Sequence, residues 1–159
     1  MNISAVQLED EDFLLMVKKV LSKTGVDPKW IQIELTESAF GDRSDMQGTI
    51  EDIRALGITV AIDDFGTGYS AFSYIKELPA DTLKINMAFT QDIHKNVESY
   101  AIVKAILSIA SAVSLNVVAE GIEQEEQVVA LQELGCQEGQ GYFYNKPINP
   151  EECEKFIKK

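Results

Sequence analysis

The chain has 159 residues, 45% of them hydrophobic and 25% charged, which is enough for one domain with a core but short of the roughly 200 residues a complete (β/α)8 barrel needs. Fourteen Lys and Arg against 26 Asp and Glu give a net charge of −12, which argues against a nucleic-acid polymer or an anionic membrane surface as partner. A small anionic ligand stays compatible with that charge, because a bound divalent cation inverts the local field.

Helix and strand patterns alternate along the chain. Ser4 and Gln7 have the spacing of a capping box, and Phe13, Met16, Val17, Val20 and Leu21 recur at helical period up to Gly25. Residues 30–36 read as a strand, and a helix with Met46, Ile50, Ile53 and Leu56 on one face closes at Gly57. The apolar run 58–62 is a second strand, and 63–70 reads as a Gly-rich turn with Ser70 capping a short helix before Pro79. Residues 82–85 form a third strand, and 97–113 a long helix with Ile102, Val103, Ile106, Ile109, Ala110 and Val113 inward. Then come a strand at 115–119, a helix at 124–134 bounded by Gly135, a strand at 139–144 and a closing helix at 150–157. Continuous apolar strands separated by helices imply a parallel sheet, and no linker or repeat divides the chain. Cys136 and Cys153 lie in no metal-binding spacing and read as reduced, buried thiols of a cytoplasmic protein. No leader pattern follows Met1, and the apolar stretch 105–119 is too short and too interrupted to span a membrane.

The chemistry gathers at the carboxyl ends of the strands, where parallel α/β folds carry their sites. The first strand gives Glu34 and Glu37, the second Asp63 and Asp64, the third Lys84 and Asn86, the fourth Glu120 and Glu123, and the fifth Gln140. Each has an ordinary explanation when taken alone: Asp-Asp before Gly-rich sequence is also turn chemistry, and Lys84 also fits a surface lysine. Crowded at one rim, however, Glu34, Asp63, Asp64 and Glu120 repel unless protons or cations neutralise them. An all-oxygen donor set suits Mg2+ or Mn2+, and a two-metal site hydrolyses phosphodiesters. One of the adjacent Asp63 and Asp64 is then able to bridge two ions, with Lys84 orienting water or offsetting phosphate charge. That spacing alone points to a metal-dependent hydrolase without identifying its substrate.

Six ordered blocks resemble the EAL domain family, phosphodiesterases that cleave cyclic di-GMP to linear pGpG. They are Asn2-Ile3-Ser4, Glu34-Leu35-Thr36-Glu37-Ser38, Asp63-Asp64-Phe65-Gly66-Thr67-Gly68-Tyr69-Ser70, Leu83-Lys84-Ile85, Glu120-Gly121-Ile122-Glu123 and Gly139-Gln140-Gly141-Tyr142-Phe143. The resemblance implies that Asn2, Glu34 and Asp63 hold a first Mg2+ or Mn2+, and that Asp63, Asp64 and Glu120 hold a second, with Asp63 bridging. It makes Lys84 and Glu120 catalytic, with Lys84 on the attacking water, places Gln140 near the substrate, and has Glu37 anchor the 63–70 loop. Two departures stand out: Asn86 replaces the family's usual Asp, and the name-giving Glu-Ala-Leu strand, with its metal-ligating Glu, is absent.

Five of eight units of a barrel of about 250 residues come to about 156 residues, so the expected fold is an α/β partial (β/α)8 TIM-type barrel, with 1–159 a single incomplete domain. An open parallel sheet with an apolar inner face needs completion, so a homodimer, or a further EAL, GGDEF or sensor domain, is the expected partner. The competing function is a non-catalytic cyclic di-GMP receptor or interaction module, favoured by the missing Glu ligand.

Overall fold

The structure is a computed structural model that describes residues 1–37, 45–66, 75 and 79–157. Five parallel strands lie side by side in chain order: β1 (Gln32–Thr36), β2 (Thr59–Phe65), β3 (Thr82–Ile85), β4 (Asn116–Ala119) and β5 (Glu138–Gly139). The described helices are α1 (Ala5–Leu8), α2 (Phe13–Thr24), α3 (Asp45–Ala55), α4 (Met87–Thr90), α5 (Val97–Ala112), α6 (Glu125–Glu133) and α7 (Pro150–Ile157). Sequential parallel strands with intervening helices are the repeating unit of a TIM-type barrel; the described residues hold five such strands, with helices described after β1, β3, β4 and β5.

Strand period decides which side chains meet. Ile33 pairs with Val60, Ile62 with Leu83 and Leu83 with Val117, so these apolar residues share one face. That face belongs to the core that also holds Met46, Ile50 and Ile53 of α3 and Val103 and Ile106 of α5. The opposite face carries Gln32, Glu34, Asp63, Thr82 and Lys84, so the inner surface is polar where the apolar strand runs had suggested a greasy one. A hydrogen bond from Gln32 Nε2 to Thr82 Oγ1 (3.2 Å) crosses it.

Several expected boundaries shift for identifiable reasons. The Ser4–Gln7 capping box forms, but it starts a one-turn helix that ends before α2, because Asp10 Oδ1 accepts the Asp12 N–H and turns the chain. Strand β1 begins at Gln32 rather than residue 30, since Asp27 caps a 3-10 turn over Pro28–Trp30. The stretch 63–65 is strand, not turn. Helix α4 was not anticipated; Asn86 caps it by accepting the Ala88 N–H. Of the residues expected inward on α5, Ile102 is 38% exposed.

The fifth strand stops after two residues because Phe143 donates its N–H to Ile122 O and Tyr144 to Gly141 O, curling 141–144 into a turn that leaves Tyr142 and Tyr144 exposed. Cys136 is half-buried and Cys153 exposed, so only one of the two thiols shelters in the protein. The Ser70-capped helix expected before Pro79, and the 67–70 end of the Gly-rich turn, lie outside the described residues. Among the described residues no helix is long and apolar enough to cross a membrane.

Candidate active site

The register of β2 against β3 builds the centre of the site. Ile62 pairs with Leu83 and Phe65 with Ile85, so two residues of β2, Asp63 and Asp64, face the single residue Lys84 of β3. This is a β-bulge, a device that re-aims side chains. Asp64 takes the left-handed conformation (φ 57°), which Asp tolerates better than most residues, and its N–H donates to Asp63 Oδ1 (3.1 Å).

Lys84 is the hub. Its side chain is only 6% exposed, and its Nζ lies 2.7 Å from Glu120 Oε1, 3.1 Å from Asp63 Oδ1 and 3.2 Å from Glu34 Oε2. Burial alone would depress the lysine, but the hydrogen bonds it donates to Glu120, Asp63 and Glu34 outweigh it and hold the ammonium above the ordinary lysine range. Glu120 moves the other way from what a lysine partner would produce: burial pushes its carboxyl up, and Asp63 and Glu34 add to that, against the pull of Lys84. The two directions agree once the charges are counted. Three carboxylates around one ammonium leave a formal charge of −2, so the cation is strongly held while each anion still feels the other two.

Single carboxylate oxygens of Asp63, Asp64 and Glu120 lie within 4.8 Å of one another. The donors are all hard oxygens, the residual charge is negative, and the site stands at the strand ends, so this set fits Mg2+ or Mn2+. Glu34 reaches the same centre through Lys84 rather than belonging to the tight triad.

The other sequence-predicted residues take separate positions. Asn2 forms an isolated parallel bridge with Glu34; the Ile3 N–H donates to Glu34 O and the Glu34 N–H to Met1 O. Gln140 is exposed and held by its backbone, donating to Ala119 O and accepting from the Ile122 N–H, which keeps it beside the Glu120 loop but outside the carboxylate cluster. Glu37 is 5% exposed, and its Oε2 accepts the N–H of Gly66, a residue at φ 98° that ends the bulged strand.

Two side chains support the cluster: Asn86, already placed at the end of the third strand by the sequence, and Gln127, which is absent from the residues singled out above. Asn86 donates from Nδ2 to Asp64 Oδ1 (2.6 Å), a bond that the ionised Asp usual at this position has no proton to make. Gln127 is 2% exposed; its Oε1 accepts the N–H groups of Glu123 and Gln124, and its Nε2 donates to Thr90 O and Gln91 O. The Gln124–Gln127 spacing at a helix start was the available signal for it.

The described residues thus form a parallel, polar-lined barrel segment with a carboxylate–lysine cluster at its strand ends. The sequence profile of the EAL domain family matches residues 1–147, and the chain belongs to that family. It is 35% identical over 159 residues to the cyclic di-GMP phosphodiesterase PA2567 of Pseudomonas aeruginosa, covering 99% of the chain and 27% of that relative. Among solved structures it is similar to the EAL enzyme Bd1971 in its cAMP- and cyclic-di-GMP-bound form, with a TM-score of 0.95, 35% identity and coverage of 99% of this chain and 42% of that one. It is similar also to BlrP1 of Klebsiella pneumoniae in a manganese and cyclic di-GMP complex, with a TM-score of 0.86, 30% identity and coverage of 92% and 38%. The chain spans 18% to 23% of the length of several other curated relatives.

Proposed function

We propose that this chain forms the catalytic rim of a cyclic di-GMP phosphodiesterase that yields linear pGpG. The observation carrying the proposal is the Asp63–Asp64–Glu120 oxygen triad beside the buried Lys84 at the strand ends of an EAL family chain. It is supported by the phosphodiesterase name of PA2567 and by the cyclic di-GMP complexes of Bd1971 and BlrP1.

In this reading Asp63, Asp64 and Glu120 would hold a divalent cation, Mg2+ or Mn2+, and Asn2, Glu34 and Asp63 would supply ligands for a second. When bound, such cations supply charge stabilisation to a phosphodiester displacement. Water oxygen attacks phosphorus, the bond to the 3′ oxygen breaks, and the proton released by the water ends on that 3′ oxygen. Lys84, whose three ammonium N–H groups are directed at Glu34, Asp63 and Glu120 here, would turn one of them toward the attacking water once those carboxylates hold a cation. Glu37 fixes the end of the bulged strand through the Gly66 N–H, and Gln140 borders the substrate side of the rim.

The uncovered Tyr142, Tyr144 and Phe156 and the short edge strand β5 fit a barrel completed by further polypeptide, and a homodimer or an attached GGDEF or sensor domain is part of the same proposal. So is a cytoplasmic location, where Cys136 and Cys153 stay reduced.

The test is hydrolysis of cyclic di-GMP to pGpG by the natural protein containing this chain, with Mn2+ or Mg2+ added. Asp63→Ala is expected to lower kcat by about 1,000-fold or more, as loss of a shared ligand to a charge-stabilising centre does. Wild-type protein that binds the dinucleotide without producing pGpG would establish a receptor instead.

A further inference from the structure

Asp64 lies on β2 and Glu120 follows β4, yet Asp64 is tied to the start of one short helix and the loop that follows Glu120 to its end. At the start of α4, Asn86 uses both halves of its amide: Oδ1 accepts the Ala88 N–H (2.7 Å) and Nδ2 donates to Asp64 Oδ1 (2.6 Å). At its end, Gln127 Nε2 donates to Thr90 O (3.1 Å) and Gln91 O (3.0 Å), while Oε1 accepts from Glu123 (2.7 Å) and Gln124 (2.8 Å) in the loop that follows Glu120. Both donors and the acceptor of that buried amide are engaged. At the start of the helix, beside Asn86, Gly121 (φ 69°) sits against Met87 so closely that an added Cβ would come 2.5 Å from Met87 Cβ, and the Glu120 N–H donates to Ile85 O (3.2 Å). The Glu120 loop is therefore fastened to the β3–α4 segment along its whole course.

We propose that α4 is a strut that holds the Asp64 and Glu120 carboxylates at cation-binding separation, with Asn86 and Gln127 as positioning residues at its two ends. Its consequence for cation binding rests on the metal-site reading above; its mechanical content does not. Polar partners behind metal ligands fix ligand orientation, and here one helix braces one ligand directly, through Asn86, and the loop behind another, through Gln127. Asn86 has a particular part in this: its amide N–H draws Asp64 toward the helix, where an ionised Asp at the same position would repel it.

Two near-isosteric substitutions cut the strut at one end each. Gln127→Glu still accepts from Glu123 and Gln124 but no longer donates to Thr90 and Gln91. Asn86→Asp still caps Ala88 but no longer donates to Asp64. Amide hydrogen exchange of the chelator-treated protein, read residue by residue, reports the coupling without any metal. The strut predicts effects across the site: at least about fivefold faster exchange at Asp64 and Gly66 in Gln127→Glu, and a similar increase at Glu123 and Gln124 in Asn86→Asp. Changes confined to the side of the substitution would overturn it, leaving two unrelated local caps. If Gln127→Glu does not fold, Asn86→Asp decides the matter alone.

Calorimetric Mn2+ titration gives the second readout. Gln127→Glu is expected to weaken binding about tenfold even though it adds a negative charge, which by attraction alone would tighten it. Tightening would overturn the strut. Wild-type protein that takes up no Mn2+ would instead defeat the metal reading, with the exchange pattern still deciding the strut.

Discussion

Lys84→Met is expected to destabilise the chelator-treated protein by about 3 kcal/mol, measured as a lower urea midpoint at unchanged slope. Methionine keeps the length and apolar stem of lysine while removing the ammonium that Glu34, Asp63 and Glu120 share at 2.7 to 3.2 Å. Removing one member of a buried charge cluster costs more than the cluster was worth, because the remaining anions stay desolvated without a partner. The loss falls at the lower end of the usual range because the three carboxylates are each 17% to 21% exposed and water screens part of their repulsion.

The same substitution is expected to tighten Mn2+ binding by about tenfold or more, since a competing positive charge a few ångströms away is gone. Stability returns when Mn2+ is added, by about 2.7 kcal/mol at a hundredfold excess over Kd. Hydrolysis does not return, because no group remains to hold the water from that side.

The pH dependence separates the variant from wild type. In wild type, Lys84 is raised, so its contribution is fully present below the unfolded lysine value near 10.4 and is lost only as pH rises through its folded value. In the variant Glu120, already raised by burial in wild type, loses the Lys84 partner that pulls it down and binds its proton more tightly folded than unfolded. The destabilisation is therefore present at pH 7 and shrinks as pH falls toward the unfolded carboxylate range near 4. A variant with wild-type stability at pH 7 and no change in Mn2+ affinity would show that Lys84 is not the counter-ion of the cluster.

Much of this site was readable because strand period and rim position are sequence properties. Glu34, Asp63, Lys84 and Glu120 follow apolar strand runs, and a parallel sheet brings the ends of such runs together. What stayed hidden depends on register and on contacts between distant segments. Asp-Asp before Gly-rich sequence has turn composition, and only the pairing of Ile62 with Leu83 and Phe65 with Ile85 reveals a bulged strand instead. Tyr142, Phe143 and Tyr144 have the composition of a strand, but Gly141 fits under Ile122 and the chain curls there. Gln127 looks like any polar helix-start residue; its importance comes from carbonyls 36 and 37 residues earlier. Asn86 is legible as a polar residue at the end of the third strand and as a departure from the usual Asp, but its bond to Asp64 depends on the bulge turning Asp64 back toward β3.

Gly141→Ala is the second large expected effect: a loss of about 3 kcal/mol or more in stability, against about 1 kcal/mol for Gly135→Ala. The contrast lies in what an added Cβ meets. At Gly141 it would lie 2.0 Å from Ile122 O, 2.3 Å from Ile122 N and 2.7 Å from Ile122 C, all backbone atoms with no rotamer to change. At Gly135 nothing lies within 4 Å, and the cost is the φ of 82° alone. Relief at Gly141 has to come from moving the chain, which breaks the Ile122–Gln140 and Phe143–Ile122 hydrogen bonds that close this corner. Because Ile122 stands two residues from Glu120 and Gln140 is the neighbour of Gly141, the damage reaches the rim. The variant is therefore expected to lose affinity for cyclic di-GMP as well as stability, whereas Gly135→Ala, at the opposite end of the β4–β5 connection, leaves ligand binding unchanged. Paired urea unfolding and calorimetric cyclic di-GMP titration check this, and equal losses in the two variants would mean that the 141 corner yields without disturbing the site.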